Sequence, residues 1–413
     1  MTNDQPGENG DVASPESQPP GGPVPWPASP ASATAAMPAH SPRPEPSATG
    51  SPAVPALRTV LIVGAGLIGT SIGLALRELD IDVALDDTAA GRLALAVELG
   101  AGRRRLDAET FDLAVVAVPP SSVAGELLRL QSSNLAATYT DVASAKAEPQ
   151  LQGETIGVDF GSYVGSHPVA GRERSGPAAA HSDLFIGRPW VITPTERSTP
   201  AALAHVHALA AACGAVAVEM SADEHDAALA AVSHLPHLVA ALLAAQLVDA
   251  DAATVALGGT GLHDTTRVAA GDANLWTQIL VANADHLARA LDGFADDVHR
   301  VRTALQQIAN GDSTAVDALT QVLRAGVAGR ARVPLKRGVP AAGFATVRVL
   351  VRDAPGELAA LLRALADAQI NVEDVRVEHD PGRQLGAVEL DVRDDAVPAL
   401  IACVRESGWT LYS

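Results

Sequence analysis

The sequence predicts an α/β unit built on a parallel, doubly wound sheet, then an all-helical unit, then a ferredoxin-like βαββαβ unit. Three changes along the chain indicate this order. From Leu57 onwards, short β-branched runs alternate with helical stretches, which is typical of a parallel sheet. After Pro200 the chain is rich in alanine and leucine and shows few strand signals. From Phe344 the alternation returns in βαββαβ order.

These changes divide the chain into five segments. Residues 1–56 hold 14 of the 28 prolines, with Gly, Ser and Ala between them, so we expect a disordered tail. The α/β unit is expected over 57–195 and the helical unit over 196–330. A Pro- and Gly-containing linker should span 331–343, and the last unit 344–413.

Composition and charge exclude several function classes. The net charge of -19 argues against nucleic acid or an anionic membrane as a partner. Cys213 and Cys403 are far apart and form no C-x-x-C, so neither a disulfide framework nor a zinc knuckle is predicted. The N-terminus shows no signal peptide, and the apolar run 227–248 is interrupted by polar residues and predicts a buried helix rather than a membrane span. We therefore expect a cytoplasmic protein.

A glycine-rich turn predicts the cofactor site. It has the pattern G-x-G-x-x-G, follows a strand and opens a helix, as a Rossmann dinucleotide-binding fingerprint requires. The candidate cofactor-binding residues of this turn are Gly64, Gly66, Leu67, Ile68 and Gly69. Asp86 ends the second strand, where a carboxylate would hold the ribose hydroxyls, and no arginine directly follows it. This pattern favours NAD over NADP; the alternative is a glycine turn in a nucleotide-free domain.

Three later stretches predict a hydride-transfer site. Oxidation of an alcohol needs a base for the hydroxyl proton, and His167, in a loop beyond the strand ends, suits that role. Ser144 follows a strand and could bond the same hydroxyl. Arg267 could clamp a carboxylate, and His237 could add a second donor.

Each of these residues has a structural alternative. His167 could stabilise its own loop, and His225 is interpreted as part of a polar helix start. His234 and His237 have a spacing that would suit metal ligands, but no third ligand accompanies them, so no metal is predicted. The remaining alternatives are that Lys146 caps a helix or pairs with Asp141, and that Trp276 only packs.

Together these stretches resemble the prephenate/arogenate dehydrogenase family over residues 59–323. The motifs that carry the resemblance are G-S-H-P-x-A-G-x-E-x-S-G at 165–176, S-H-L-P-H at 233–237, and D-x-T-R at 264–267 followed by Trp276. The resemblance implies a Rossmann domain followed by a helical domain that forms a homodimer. It also implies oxidative decarboxylation of a cyclohexadienol ring, which becomes aromatic.

The resemblance implies a role for each matching residue. His167 would accept the hydrogen bond or proton of the ring hydroxyl, and Ser144 would orient that hydroxyl. His237 and Arg267 would bind the substrate, and Glu173 would help to gate the site. Because residues 1–56 are too short and Pro-rich for a fused chorismate mutase, a monofunctional enzyme is expected.

The C-terminal unit resembles an ACT domain through a D-x-P-G-x-L signature. The candidate regulatory residues are Asp353, Pro355, Gly356, Glu357 and Leu358, with Asn371 at the next strand. A glycine and a helix N-terminus offer backbone donors to an amino-acid carboxylate. Tyrosine is the expected effector; the alternative is a dimerisation unit with an empty site.

The function predicted from the sequence is NAD-dependent prephenate dehydrogenation to 4-hydroxyphenylpyruvate in tyrosine biosynthesis. An arogenate dehydrogenase, which forms tyrosine directly, is the alternative within the family. From another class, a non-catalytic sensor of NAD and an amino acid remains open. So does a different hydroxyacid dehydrogenase, although such enzymes often use a lysine base in the helical domain and none stands at a comparable place in this chain.

Overall fold

The computed structural model describes residues 57–170, 176–333, 343–379 and 385–412. The predicted tail, the predicted gating residue Glu173 and most of the predicted linker lie outside the described residues. The roles expected for them therefore stay predictions.

The first sheet has five strands, and all of its strand pairs are parallel. Its strands are β1 (Thr59–Val63), β2 (Asp82–Asp86), β3 (Arg103–Arg104), β4 (Phe111–Val116) and β5 (Ala136–Asp141), in the order β3-β2-β1-β4-β5. The helices that alternate with them are α1 (Leu67–Arg77), α2 (Ala90–Glu98), α3 (Pro120–Ser132) and α4 (Ala147–Ile156). The predicted doubly wound α/β fold is confirmed.

The register of this sheet places the ligand-binding edge. β1 and β4 are nearly continuous apolar runs and are buried, as strands covered on both faces must be. Val63 of β1 pairs with Asp86 of β2 on one side and Val116 of β4 on the other. The strand order reverses between β1 and β4, and doubly wound sheets bind ligands beyond the carboxyl ends of the strands at such a point.

A second, three-stranded sheet follows. Its strands are β6 (Gly165–Pro168), β7 (Pro189–Thr193) and β8 (Val216–Glu219), and α5 (Pro200–Ala212) lies between β7 and β8 in the chain. β6 is antiparallel to β7, which is parallel to β8. The prediction of helices alone after Pro200 is wrong at β8, because this edge strand completes the α/β part of the molecule. We infer that the domain boundary lies near Ser221 rather than at residue 195.

The remaining described residues up to 333 form the helical unit. Its helices are α6 (Ala222–Leu229), α7 (Leu235–Ala245), α8 (Ala252–Ala256), α9 (Thr260–Thr266), α10 (Ala273–Ala282), α11 (Ala284–Ala309) and α12 (Val316–Ala331). α6 begins with a capping box, in which Ser221 and Glu224 satisfy each other's backbone N–H groups. A π turn over Ala230–His234 joins α6 to α7 without a break.

The continuous helix Ala222–Ala245 is long and apolar enough, by length and composition alone, to cross a membrane. Its polar residues His225, Asp226 and His234 are nevertheless buried, whereas the apolar Val232 and Leu242 are 71% and 50% exposed. The expectation that this helix is buried all round is therefore wrong. The polar side faces the protein interior, and the apolar side is left for another surface.

Large apolar side chains are exposed across much of the helical unit. They include Val248, Leu257, Val281, Leu323 and Val327. Exposed apolar surface of this kind marks an interface in a soluble protein. The predicted dimerisation role of this unit accords with that exposure.

The last unit has the predicted βαββαβ order. Its elements are β9 (Phe344–Arg352), α13 (Glu357–Asp367), β10 (Asp374–His379), β11 (Leu385–Arg393), α14 (Val397–Glu406) and β12 (Thr410–Tyr412). The sheet order is β10-β11-β9-β12, and all pairs are antiparallel. Val349, Leu361, Leu390 and Leu400 form the centre of its own core.

Candidate active site

The glycine-rich turn after β1 is shaped by two of its three glycines. Gly64 has a φ of +105°, and a Cβ there would lie 2.2 Å from the carbonyl oxygen of Ala117. A Cβ on Gly69 would lie 2.0 Å from the carbonyl oxygen of Gly64. A Cβ on Gly66, in contrast, would meet nothing within 4 Å. Gly64 and Gly69 thus allow the close packing of α1, while Gly66 borders open space, as a phosphate-binding glycine should.

The start of α1 supplies the rest of the predicted cofactor site. Leu67 and Ile68 are the first two residues of the helix, and their side chains pack against the core. Because the first N–H groups of a helix have no acceptors within it, they remain available to an anionic group such as a pyrophosphate. The residues present therefore fit a dinucleotide.

Two neighbouring aspartates after β2 have different environments. The Asp87 side chain is only 3% exposed and accepts hydrogen bonds from the N–H groups of Ala65 and Ala89 and from Arg92. Burial alone would raise the pKa of Asp87, but these hydrogen bonds outweigh it and leave the pKa below its ordinary value. Asp87 therefore stabilises the glycine turn, and the ribose-binding role predicted for Asp86 stays a prediction.

Two arginines that sequence reasoning missed lie beside Asp86. The Nε atom of Arg105 is 3.4 Å from the Asp86 carboxylate, and an Arg129 nitrogen is 3.9 Å away. Both side chains come from parts of the chain distant from Asp86, so a search for an arginine directly after the strand could not find them. Arg129 also pairs with Glu126 at 2.5 Å, so the two arginines are balanced by two carboxylates and leave no surplus of positive charge for a phosphate.

His167 lies in β6 and is linked to the helical unit. Its Nδ1 is 2.8 Å from Nε2 of His225, and Nδ1 of His225 is 2.7 Å from Asp226 Oδ1. Burial lowers the pKa of His167 well below its ordinary value, and the neighbouring His225 and Lys146 lower it further. The interpretation of His225 as merely part of a helix start is wrong, because this side chain contacts the predicted base.

A buried ion pair lies directly behind His167. Lys146 Nζ contacts Asp141 Oδ1 and donates a hydrogen bond of 2.8 Å to the carbonyl oxygen of Ser166. Tyr163 donates from its hydroxyl to the other Asp141 oxygen at 2.7 Å. The structural alternative for Lys146, pairing with Asp141, is confirmed. The pair fixes the end of β5, which carries Ser144 in its following loop, against β6, which carries His167.

His237 and Trp276 form a stack in the helical unit. Their ring centroids are 3.5 Å apart and the planes differ by 11°. Gly271 allows this stack, because a Cβ there would lie 2.6 Å from Trp276 Nε1 and 3.2 Å from the His237 ring. Arg267 is exposed at the start of the turn Arg267–Ala270, which packs against α7, the helix of His237. Trp276 thus packs, and it does so on a predicted substrate-binding residue.

His234 is buried on the same helix but serves a different contact. Its Nδ1 is 3.0 Å from the Asn283 amide nitrogen, which also donates to the carbonyl oxygen of Asp226 at 2.7 Å. Across the ranges that the structure describes, no group of three or more His, Cys, Asp or Glu side chains is arranged to hold a metal ion. Contacts within the protein account for the positions of His234 and His237.

Acid should destabilise the fold through His234. Burial lowers its pKa from 6.5 to about 4, so below pH 6.5 the unfolded chain binds a proton that the folded chain does not. This contribution to stability is complete above pH 6.5 and is lost progressively as the pH falls to about 4. Urea unfolding at pH 7 and pH 5 should show a smaller loss for His234→Gln than for the wild type. Equal losses would contradict this assignment.

Comparison with known proteins identifies the family. Residues 72–219 match the prephenate dehydrogenase nucleotide-binding domain, residues 221–325 the prephenate dehydrogenase dimerization domain, and residues 345–399 the ACT domain. A protein of Streptomyces niveus, described as probable prephenate dehydrogenase NovF, is 37% identical over 362 residues, which cover 86% of this chain and all of that one. The chain belongs to the prephenate dehydrogenase family.

Solved structures of this family share the fold. A prephenate dehydrogenase from A. aeolicus, crystallised with hydroxyphenyl propionate and NAD+, aligns with a TM-score of 0.58 and 26% identity, covering 66% of this chain and 98% of that one. A Synechocystis arogenate dehydrogenase aligns with a TM-score of 0.54 and 25% identity, covering 66% and 99%. The predicted family, the Rossmann domain and the ACT domain are confirmed.

Proposed function

We propose that this family member is an NAD-dependent prephenate dehydrogenase, which converts prephenate to 4-hydroxyphenylpyruvate and carbon dioxide in tyrosine biosynthesis. The observation that carries the proposal is the setting of His167. It lies next to the end of β5, in the α/β unit that carries the nucleotide-binding turn, and its low pKa keeps its ring neutral at pH 7. A neutral imidazole beside a nucleotide site is what alcohol oxidation requires.

His167 acts as the base for the hydroxyl at ring carbon 4. As its nitrogen takes up the hydroxyl proton, the hydrogen on carbon 4 leaves with its electron pair. NAD, when bound, supplies the acceptor for this hydride. The electron pair of the bond between ring carbon 1 and its carboxylate then enters the ring and carbon dioxide leaves. The electron pair of the new carbonyl at carbon 4 moves onto its oxygen, which takes the proton back from His167, so that the ring becomes an aromatic phenol. Ser144 orients the hydroxyl toward His167.

Arg267 and His237 bind the substrate, and Arg267 pairs with one of its carboxylates. Arg267 is exposed and lies on the turn that packs against α7, the helix of His237, so its guanidinium can pair with a carboxylate of a substrate that lies beside His237. Glu173, which lies outside the described residues, is proposed from its motif alone to help gate the site. In a chain of net charge -19, such a local positive group is needed to hold a dianion.

Replacement of Arg267 by alanine should mainly weaken substrate binding. Loss of a bidentate, charge-assisted contact should raise the KM for prephenate by ~10- to 100-fold, with a smaller effect on kcat. Arg267→Lys keeps the charge but not the planar guanidinium, so its KM should lie between those of the wild type and Arg267→Ala. Arg300→Ala, at an exposed arginine paired with Asp297, is the matched control. An unchanged KM in Arg267→Ala would rule out the clamp.

The ACT domain is proposed to bind tyrosine as a feedback effector. Gly356 precedes α13 with a φ of +90°, so the turn exposes the first N–H groups of that helix to a carboxylate. Asp353, Pro355, Glu357 and Leu358 complete this turn, and Asn371, whose amide nitrogen lies 2.5 Å from Glu373 Oε1, would hold the amino group. We further propose a cytoplasmic homodimer joined through the exposed apolar face of the helical domain.

One assay tests these proposals together. NADH absorbance is followed with purified protein, NAD, and either prephenate or arogenate, with and without tyrosine. Turnover of prephenate supports the proposed function, and turnover of arogenate alone assigns the alternative within the family. Inhibition by tyrosine supports the feedback site. Binding of NAD without turnover of either substrate would contradict the proposal and favour a sensor.

A further inference from the structure

We propose that Asp226 and His225 fix the tautomer of His167, so that its Nε2 carries no proton and faces the substrate. Both act through His167 and are positioning residues. The inference rests on the proposed function, in which His167 is the base. It assigns a task to two residues of the helical domain that the sequence motifs did not single out for chemistry.

The chain of hydrogen bonds begins at Asp226. Its carboxylate accepts from the N–H groups of Lys146 at 2.9 Å and Ala147 at 2.8 Å, and it contacts Nδ1 of His225 at 2.7 Å. Burial alone would raise the pKa of Asp226, but these hydrogen bonds outweigh it and leave the pKa below its ordinary value. An ionised carboxylate only accepts hydrogen bonds. Nδ1 of His225 therefore carries the proton and donates it.

The proton on His225 Nδ1 determines the next bond. Burial lowers the pKa of His225, so the ring is neutral at pH 7 and holds a single N–H proton. Its Nε2 is then a bare acceptor, and the contact of 2.8 Å to His167 Nδ1 requires that His167 be the donor. A neutral His167 with its proton on Nδ1 has a bare Nε2.

With the proton on Nδ1, the Nε2 atom of His167 is free to accept a proton from the substrate. Among the residues that the structure describes, none hydrogen-bonds Nε2 of His167, and the His167 side chain is half-buried rather than enclosed. The opposite tautomer would place a proton on Nε2, which could then donate to the substrate hydroxyl but could not accept its proton. The chain of Asp226, His225 and His167 excludes that tautomer.

These hydrogen bonds also make the tautomer of His167 depend on the contact between two domains. Asp226 and His225 lie on α6 of the helical domain, whereas Lys146 and Ala147 lie at the start of α4 in the nucleotide-binding domain. The two backbone bonds to Asp226 therefore hold His225 against His167. The reactive tautomer is selected only when this domain contact is formed.

The test uses two substitutions of His225 and one matched control. His225→Phe keeps a flat ring but has no acceptor, and His225→Gln offers a carbonyl oxygen to the His167 Nδ1–H. His205→Phe removes another half-buried histidine, which contacts Thr138 in the nucleotide-binding domain at 2.8 Å. Thermal unfolding and NAD affinity are measured for each to establish that the fold is intact.

The decisive readout is the tautomer itself. Nitrogen-15 NMR of histidine-labelled full-length protein separates bare ring nitrogens from protonated ones, and His167→Asn identifies the His167 signals. We expect a bare Nε2 in the wild type and in His205→Phe. In His225→Phe we expect a mixture of both His167 tautomers. In His225→Gln most of the His167 rings should show the wild-type tautomer. A protonated Nε2 in the wild type, or an unchanged pattern in His225→Phe, would overturn the inference.

Kinetics provide the second readout. Loss of tautomer selection should lower kcat by ~10- to 100-fold in His225→Phe, part of what a general base contributes, with partial recovery in His225→Gln. The KM for prephenate should change less than twofold. An unaltered kcat would overturn the inference. If the wild type turns over no dienol substrate, the proposed function fails, whereas the NMR result still decides the tautomer.

Discussion

Replacement of His167 by asparagine is expected to lower kcat by ~10²- to 10⁴-fold, the range that general-base catalysis contributes. Asparagine can still bond the substrate hydroxyl but cannot take up its proton near neutral pH. NAD affinity should stay near normal, because the glycine turn after β1 and Asp86 belong to the first sheet, whereas His167 lies in the second. Single-turnover NADH formation separates the chemical step from product release.

The control for this experiment is His207→Asn, at a histidine whose Nε2 contacts Glu219 at 2.7 Å on the surface of the same domain. Its kcat should match the wild type. Near-normal turnover in His167→Asn would remove His167 from the mechanism. A loss of NAD affinity equal to the loss of rate would indicate a structural role instead.

Removal of Lys146 should strongly destabilise the nucleotide-binding domain. Lys146 and Asp141 are both buried, and their side chains have no exposed surface. Lys146→Met leaves the Asp141 carboxylate without its cation, and breaking a buried pair in this way costs ~3–5 kcal/mol. Denaturant unfolding, monitored by circular dichroism, should show a lower midpoint with an unchanged slope.

A paired variant distinguishes the loss of charge from the loss of packing. In Lys146→Met with Asp141→Asn, no charge is left unpaired, and the amide oxygen can still accept from Tyr163 or from the N–H of Ala143. The double variant should regain at least half of the lost stability. A single variant that loses less than ~1 kcal/mol would contradict the ion pair, and a double variant less stable than the single would attribute the loss to packing.

The sequence predicted strands best where burial is complete. The strand predicted before the glycine turn is present as β1, because its apolar run is buried on both faces and is followed by that turn. β8 was missed because its four residues are exposed, lie at a sheet edge and follow an alanine-rich helix. Its strand conformation depends on pairing with β7, which no local pattern encodes.

The motifs predict candidate site residues, but they do not indicate the contacts that those residues make with side chains far away in the sequence. His225 lies 58 positions from His167 in the sequence. It follows the Ser221–Glu224 capping box, so its position at a polar helix start suggests only a local structural role. Asp86 and Asp87 are adjacent and identical in chemistry. Only the fold shows that Asp87 bonds the glycine turn, while Asp86 lies beside Arg105.

The π turn over Ala230–His234 has a consequence for how this site can diversify. A π turn closes its hydrogen bonds over one residue more than an α turn, so the helix carries one residue beyond what regular geometry needs. Return to α geometry would rotate one flank against the other by about 100°, the turn of a single residue. The π turn thus separates the His225 end, for which we propose a role in proton transfer, from the His237 end, for which we propose a role in substrate binding. Change in ring recognition can accumulate on one flank while the proton chemistry on the other is retained.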